Sequence, residues 1–151
     1  MNELSSPLPS GRFTVLGYGG LLPFIALTVL IISKASFQAL AAVAIVSYGA
    51  VILSFIGALH WGFAMLLPGL EAKERQNRLL WSVIPALLGW ACTLMPAALA
   101  CFALACGFVA HLWQDRSLPQ NLPAWYRPMR LRLTAVAALC LLLSALALTY
   151  S

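Results

Sequence analysis

The sequence predicts an all-α protein, a polytopic membrane bundle of five transmembrane helices. Three observations predict it. Hydrophobic residues make up 62% of the 151-residue chain and charged residues 9%, against about 25% charged in an ordinary soluble domain. So few charges cannot coat a water-facing globule, but they suffice where most of the surface faces lipid. In hydrocarbon every backbone N–H and C=O must be paired internally, which leaves helices or a closed barrel. The apolar stretches here are solid Leu/Ala-rich runs, not the polar–apolar alternation of a barrel strand, so helices follow.

The chain divides into a polar segment, residues 1–13, and a single membrane domain, residues 14–150. The first span is expected at about 14–33, long enough for a hydrocarbon core of about 30 Å. Its opening, Leu16-Gly17-Tyr18-Gly19-Gly20-Leu21-Leu22-Pro23-Phe24, follows no strand, so it reads as close helix packing with a kink at Pro23 rather than a phosphate cradle. No signal peptide of the cleaved form is recognisable, so this span is expected to be retained. A turn at Ser33-Lys34-Ala35-Ser36 leads to a second span, 37–67, ended by Pro68-Gly69. It exceeds the core thickness and must tilt or lay its first turns in the interface.

The run 79–113 carries no charge and is too long for one crossing. Proline lacks the donor that continues a helix, so Met95-Pro96 divides the run into spans 79–95 and 97–113, with a re-entrant hairpin as the rival reading. Pro85 is expected to bend the third span. A proline-containing loop, 114–130, precedes the fifth span, 131–150.

With five spans, Arg12, Lys73, Arg75, Arg78, Arg116, Arg127, Arg130 and Arg132 fall on one side and Lys34 alone on the other. That bias predicts a cytoplasmic N-terminus and a periplasmic C-terminus. The net charge of +5 is thus an orientation signal, and no nucleic acid is expected. Cys92, Cys101, Cys106 and Cys140 lie in apolar runs without metal-ligand spacing and read as small hydrophobes. No metal and no cofactor is expected.

Span 2 carries the most pattern. Ala50, Ser54, Ala58 and Gly62 recur every four residues and predict a small-residue strip for close helix packing, within the chain or between copies. His60 is expected ~10 Å inside the basic end by helix rise. An ionisable group at that depth usually faces the bundle interior or a wet cavity. His111 and Asp115 close span 4 at i, i+4, on one face. His60, Trp61, His111 and Asp115 are therefore the candidate polar pocket. The competing reading pairs Asp115 with Arg116 or Arg127 at the interface and lets His111 reach the surface. Trp125, Tyr126, Arg127 and Arg130 form a candidate headgroup lip, since Trp and Tyr favour the headgroup level and Arg can reach phosphates. No span core contains an acid, Lys or Arg, and no nucleophile–base pair appears, so no catalytic residue is assigned.

These motifs resemble a known family. Tyr48 to Gly62, with Ser54-Phe55-Ile56-Gly57 and His60-Trp61-Gly62, carries one signature. Asp115, then Leu118-Pro119 or Leu122-Pro123, Trp125-Tyr126, Arg130 and Leu133-Thr134 carry a second, and the glycine-rich start with Pro23-Phe24 fits too. The chain resembles, over about residues 14–150, a family of small bacterial inner-membrane proteins that share a domain of unknown function with a mitochondrial multi-pass transmembrane protein of animals. The resemblance implies a five-span helical protein of the bacterial inner (plasma) membrane and implies no activity. The first functional expectation is a non-enzymatic module that binds a lipid or hydrophobic ligand, or an accessory subunit of a larger membrane complex. The second is a small oligomeric transporter or channel with His60 lining the path. The third is a membrane enzyme using His60, His111 and Asp115. The expected partners are the bilayer, an anionic lipid or hydrophobic ligand, and a homo-oligomer or larger complex.

Overall fold

The computed structural model describes residues 10–34, 36–67, 69–117 and 124–150, with side chains from residue 15 on. Pro68, residues 118–123 of the lip region and most of segment 1–13 lie outside the described residues. The described residues form helices α1 (Ser10–Gly19), α2 (Leu22–Ile32), α3 (Gln38–Leu66), α4 (Ala72–Thr93), α5 (Ala97–Gln114) and α6 (Tyr126–Thr149), with a 3-10 turn at Asp115–Ser117 and no strand. α3 packs along α4 and α5 along α6, while α2 contacts both α3 and α6.

Four segments are long and apolar enough to cross a bilayer: Val15–Ile32, Gln38–Leu66, Ala97–Gln114 and Tyr126–Thr149. α4 is not among them, because its first turns hold Lys73, Glu74, Arg75 and Arg78 and only its second half is apolar. At 22 residues it is about 33 Å long. α4 and α5 form a hairpin that turns at 94–96, where Pro96 caps α5 in an extended conformation. The break thus falls at the proline that lacks a donor.

The first span, Val15–Ile32, is interrupted just ahead of the bend expected at Pro23: α1 and α2 are joined through Gly20 and Leu21, whose amides bond back to Leu16 and Tyr18. Gly19 and Gly20 end α1, and Pro23 occupies the first turn of α2, where its missing N–H costs nothing. The Gly20 carbonyl freed by the break accepts a hydrogen bond from the Tyr48 hydroxyl at 2.8 Å.

The outer surface is as apolar as the interior, whose larger side chains include Phe24, Ile31, Leu53, Leu104 and Leu141. Leu40, Phe55, Leu66 and Trp113 are largely exposed on the outer surface, and the interior also contains Ala41, Ala50, Ala100, Ala137, Cys92 and Cys101. Small interior residues let helices approach where lipid removes any hydrophobic preference for association. Thr28 Oγ1 adds hydrogen bonds from α2 to α6, donating to the Cys140 carbonyl at 3.2 Å and lying 3.1 Å from Ser144 Oγ. All four cysteines are free.

The small-residue strip does not lie where its four-residue spacing put it. Ala50 is buried against α4, but Ala58 is exposed and a Cβ at Gly62 would meet nothing. Each step of four residues turns about 40° around the helix, so the strip rotates off the contact. The close approach is made instead by Ala50 and Gly57, seven residues apart. A Cβ on Gly57 would lie 3.0 Å from Pro85, and one on Gly89 would lie 3.0 Å from the Ala50 carbonyl oxygen.

Lys34, in the left-handed conformation at φ 50°, reaches the carbonyl of Tyr150 at 3.4 Å, so the α2–α3 turn and the end of α6 share one end of the bundle. The opposite end gathers the charges. There the Arg75 guanidinium donates to the carbonyl of Ala64, one of the carbonyls left open at the C-terminus of α3.

Candidate functional site

At the charged end, four helices contribute to one buried polar cluster. His60 comes from the last third of α3, His111 from the last turn of α5, Asp115 from the 3-10 turn that follows, and Arg130 from the start of α6. Trp81 joins from α4. His60 Nε2 donates to Asp115 Oδ1 at 3.1 Å, and Arg130 Nε donates to Asp115 Oδ2 at 2.9 Å. His111 Nε2 lies 3.8 Å from the same Oδ1. The two imidazoles meet edge to face with centroids 5.0 Å apart. His60 exposes 0% of its surface and His111 1%. Burial alone would raise the Asp115 carboxyl, but the His60 hydrogen bond and the Arg130 charge outweigh it and hold the group below the ordinary carboxylate range.

Trp81 decides the state of His111. Its indole Nε1–H donates to His111 Nδ1 at 3.2 Å. Indole nitrogen is only ever a donor, so Nδ1 accepts, His111 is neutral and its own proton sits on Nε2, the atom nearest Asp115.

His60, His111 and Asp115 offer ligand atoms that all lie within 4.8 Å of one another, a grouping that could hold a metal ion and that sequence spacing did not display. Two features of the same site oppose a cation. A metal on His111 Nε2 would need the lone pair that now carries the proton, and the Arg130 guanidinium already occupies Asp115. The cluster is better suited to hold Arg130 in place than to hold a metal.

Among the other predicted site residues, Trp61 stands apart from the cluster. It is half exposed on the outer surface, with its indole against Met65 sulfur, because one residue beyond His60 turns the side chain about 100° around the helix. The lip also divides. Arg127 is exposed and Trp125 and Tyr126 half-buried, but Arg130 is buried and ion-paired. It lies inside α6, which begins five residues earlier than the expected fifth span. Asp115, which the competing reading pairs with Arg116 or Arg127, is ion-paired with Arg130. Arg116 sits over the Trp113 ring at 4.7 Å. Arg78, counted in the sequence as a loop charge, is buried and bonded to Glu74 at 2.6 Å. Sequence reading missed Trp81 as a cluster member; its spacing from His111 carries no signal, and only the α4–α5 hairpin brings them together.

Arg130 also borders two cavities. One, of about 220 Å3, lies at the charged end beside Asp115, Arg116, Tyr126 and Arg127. The other, of about 160 Å3, lies deeper, between the broken first span, α3, α5 and α6. Gly17, Gly20 and Phe24 line it from the break, Phe108 from α5, and Thr134 and Ala137 from α6. Leu16 and Phe55 also line it, and both are exposed on the outer apolar surface, so this cavity opens sideways toward lipid. Irregular backbone at membrane depth is tolerated where protein or a cavity covers it, and the α1–α2 break meets that condition.

Fold and site together define a multi-pass helical membrane protein with an ion-paired histidine cluster closed inside one end. The chain belongs to the family described as Protein of unknown function (DUF3429), whose model matches residues 10–146. It is 35% identical over 128 residues to Transmembrane protein 69 of Xenopus tropicalis, covering 83% of this chain and 50% of that one. It is 32% identical over 136 residues to Transmembrane protein 69 of Mus musculus, covering 89% of this chain and 54% of the relative. The chain thus spans about half the length of these curated relatives. No solved structure matches it.

Proposed function

We propose that this protein is a non-enzymatic membrane module that binds a lipid-soluble ligand entering sideways from the bilayer. The observation that carries this reading is the cavity of about 160 Å3 at the break in the first span, with exposed Leu16 and Phe55 at its edge and buried Arg130 in its wall. A span interrupted at membrane depth is a common setting for a ligand site. The Asp115 ion pair and the two histidines then act as the fixed frame that sets Arg130 in that wall.

Other readings draw less from the site. His60, His111 and Asp115 converge within reach of one another, as catalysis would require, but the imidazoles are sealed from substrate and one is held by Trp81. A transport path along His60 has no support from a ring that exposes no surface. The basic lip at Arg116 and Arg127, around the shallower cavity, suits an anionic lipid headgroup. The excess of basic residues at this end supports placing it in the cytoplasm of a bacterium, with the chain in the inner membrane.

The test is native mass spectrometry of the full chain released from native lipid, followed by identification of what it retains. Retained ligand is expected, and Ala137→Phe, which fills the cavity, is expected to abolish it. A chain that emerges bare, or a ligand that persists in the filled variant, removes the reading.

A further inference from the structure

We infer that the cavity at the broken first span takes a neutral, ring-sized carbonyl compound with an apolar tail, a molecule of the benzoquinone class. This rests on the ligand-binding reading above and assigns the chemistry of that site.

Size comes first. An engineered apolar cavity of about 150 Å3 holds one benzene molecule, and the cavity here is about 160 Å3. It admits one six-membered ring, not a sterol or a porphyrin. The ring would meet Phe24 and Phe108, and a tail would leave past Leu16 and Phe55 into lipid.

The polar end defines the head group. Arg130 Nη2 and Thr134 Oγ1 are both buried and both belong to residues that line the cavity; Thr134 Oγ1 meets no acceptor, while the Arg130 guanidinium also bears on the Tyr126 hydroxyl. An unmet buried donor such as Thr134 Oγ1 is costly. An acceptor seated at this end would lie beside Thr134, with the Arg130 guanidinium in the same wall. Thr134 is one helical turn beyond Arg130 on α6, so the two side chains share one side of the cavity.

Charge then separates carbonyl from carboxylate. Of the described residues around the cavity only Arg130 is ionised, and Asp115 at 2.9 Å already matches its charge. His111 cannot supply a positive charge while its Nδ1 accepts the Trp81 N–H. A carboxylate would therefore enter low-dielectric surroundings as an unmatched anion, which is strongly unfavourable. A carbonyl supplies the acceptor without the charge.

The experiment uses the full chain in mild detergent with three probes of equal tail length: decyl-benzoquinone, decanoate and decylbenzene. Saturable binding of the quinone, one adduct per chain by native mass spectrometry, is expected to exceed that of the other two by about tenfold, the worth of one or two hydrogen bonds. Thr134→Val, close in shape and outside the ion pair, is expected to weaken the quinone by about threefold to tenfold on the same basis and to leave decylbenzene unchanged. Equal binding of decylbenzene or decanoate overturns the carbonyl assignment and leaves a ligand-binding module. Quinone binding untouched by Thr134→Val also overturns it. No binding of any probe overturns the assignment and removes support from the module reading with it.

Discussion

Arg130 and Asp115, fifteen residues apart in sequence, meet inside the bundle with Arg130 Nε 2.9 Å from Asp115 Oδ2, and almost none of either side chain is exposed. The pair ties the start of α6 to the end of α5, and His60 extends it to α3. Removing one partner strands a buried charge, which costs about 3–5 kcal/mol. Asp115→Leu and Arg130→Met are each expected to be strongly destabilised in detergent unfolding. The double variant should be far more stable than the sum of the two losses. Strictly additive losses would show that the pair does not act as a unit.

The acid limb of stability follows from the same carboxylate. The folded state holds Asp115 below its ordinary value, so its contribution is fully present above the unfolded value of about 3.9 and is lost as pH falls through the lower folded value. Thermal unfolding of the wild-type chain should therefore show a loss below about pH 4 that Asp115→Asn lacks. Parallel pH profiles for the two proteins would contradict this.

The Trp81–His111 hydrogen bond predicts weak metal affinity. With the donor in place, His111 Nε2 carries the proton and does not ligate. Trp81→Phe frees Nδ1 to take that proton and releases Nε2 toward His60 and Asp115. Competition with a chromophoric chelator should show tighter zinc binding in Trp81→Phe than in the wild type. Tighter binding by the wild type would reverse the assignment of the tautomer.

Close packing of α3 on α4 predicts a contrast among glycines. Gly89→Ala places a methyl 3.0 Å from the Ala50 carbonyl oxygen, and such overpacking costs about 1–3 kcal/mol. Gly62→Ala meets open space and gains helix propensity of up to about 1 kcal/mol. Midpoints of unfolding in detergent should move in opposite directions. A destabilised Gly62→Ala would place a second copy of the chain on that face.

Tyr48→Phe removes the hydrogen bond that satisfies the Gly20 carbonyl at the α1–α2 break. The expected cost is about 0.5–1.5 kcal/mol, and hydrogen exchange should rise around Gly20 and Leu21 while α5 is unaffected. Unchanged exchange at the break would mean that the surrounding wall, not Tyr48, holds it.

The sequence by itself determined the membrane helices and where most of them end. Long uncharged runs need hydrocarbon, Pro96 breaks whatever helix meets it, and basic residues cluster in alternate connections, hence at one end; each of these acts through local composition. It also carried the suspicion attached to His60, His111 and Asp115, since two are a helical turn apart and all three are expensive in lipid. Tertiary structure alone decided that Arg130 faces inward to Asp115 while Arg127 stays outside, and that Trp81 sets the proton on His111. It alone turned Ala58 and Gly62 away from the α4 contact. It alone opened a cavity at a glycine pair that reads in sequence as simple packing. Those outcomes depend on which helix faces meet, and a face turns by about 100° per residue, so an offset too small to see in a string of letters moves a side chain from lipid to core.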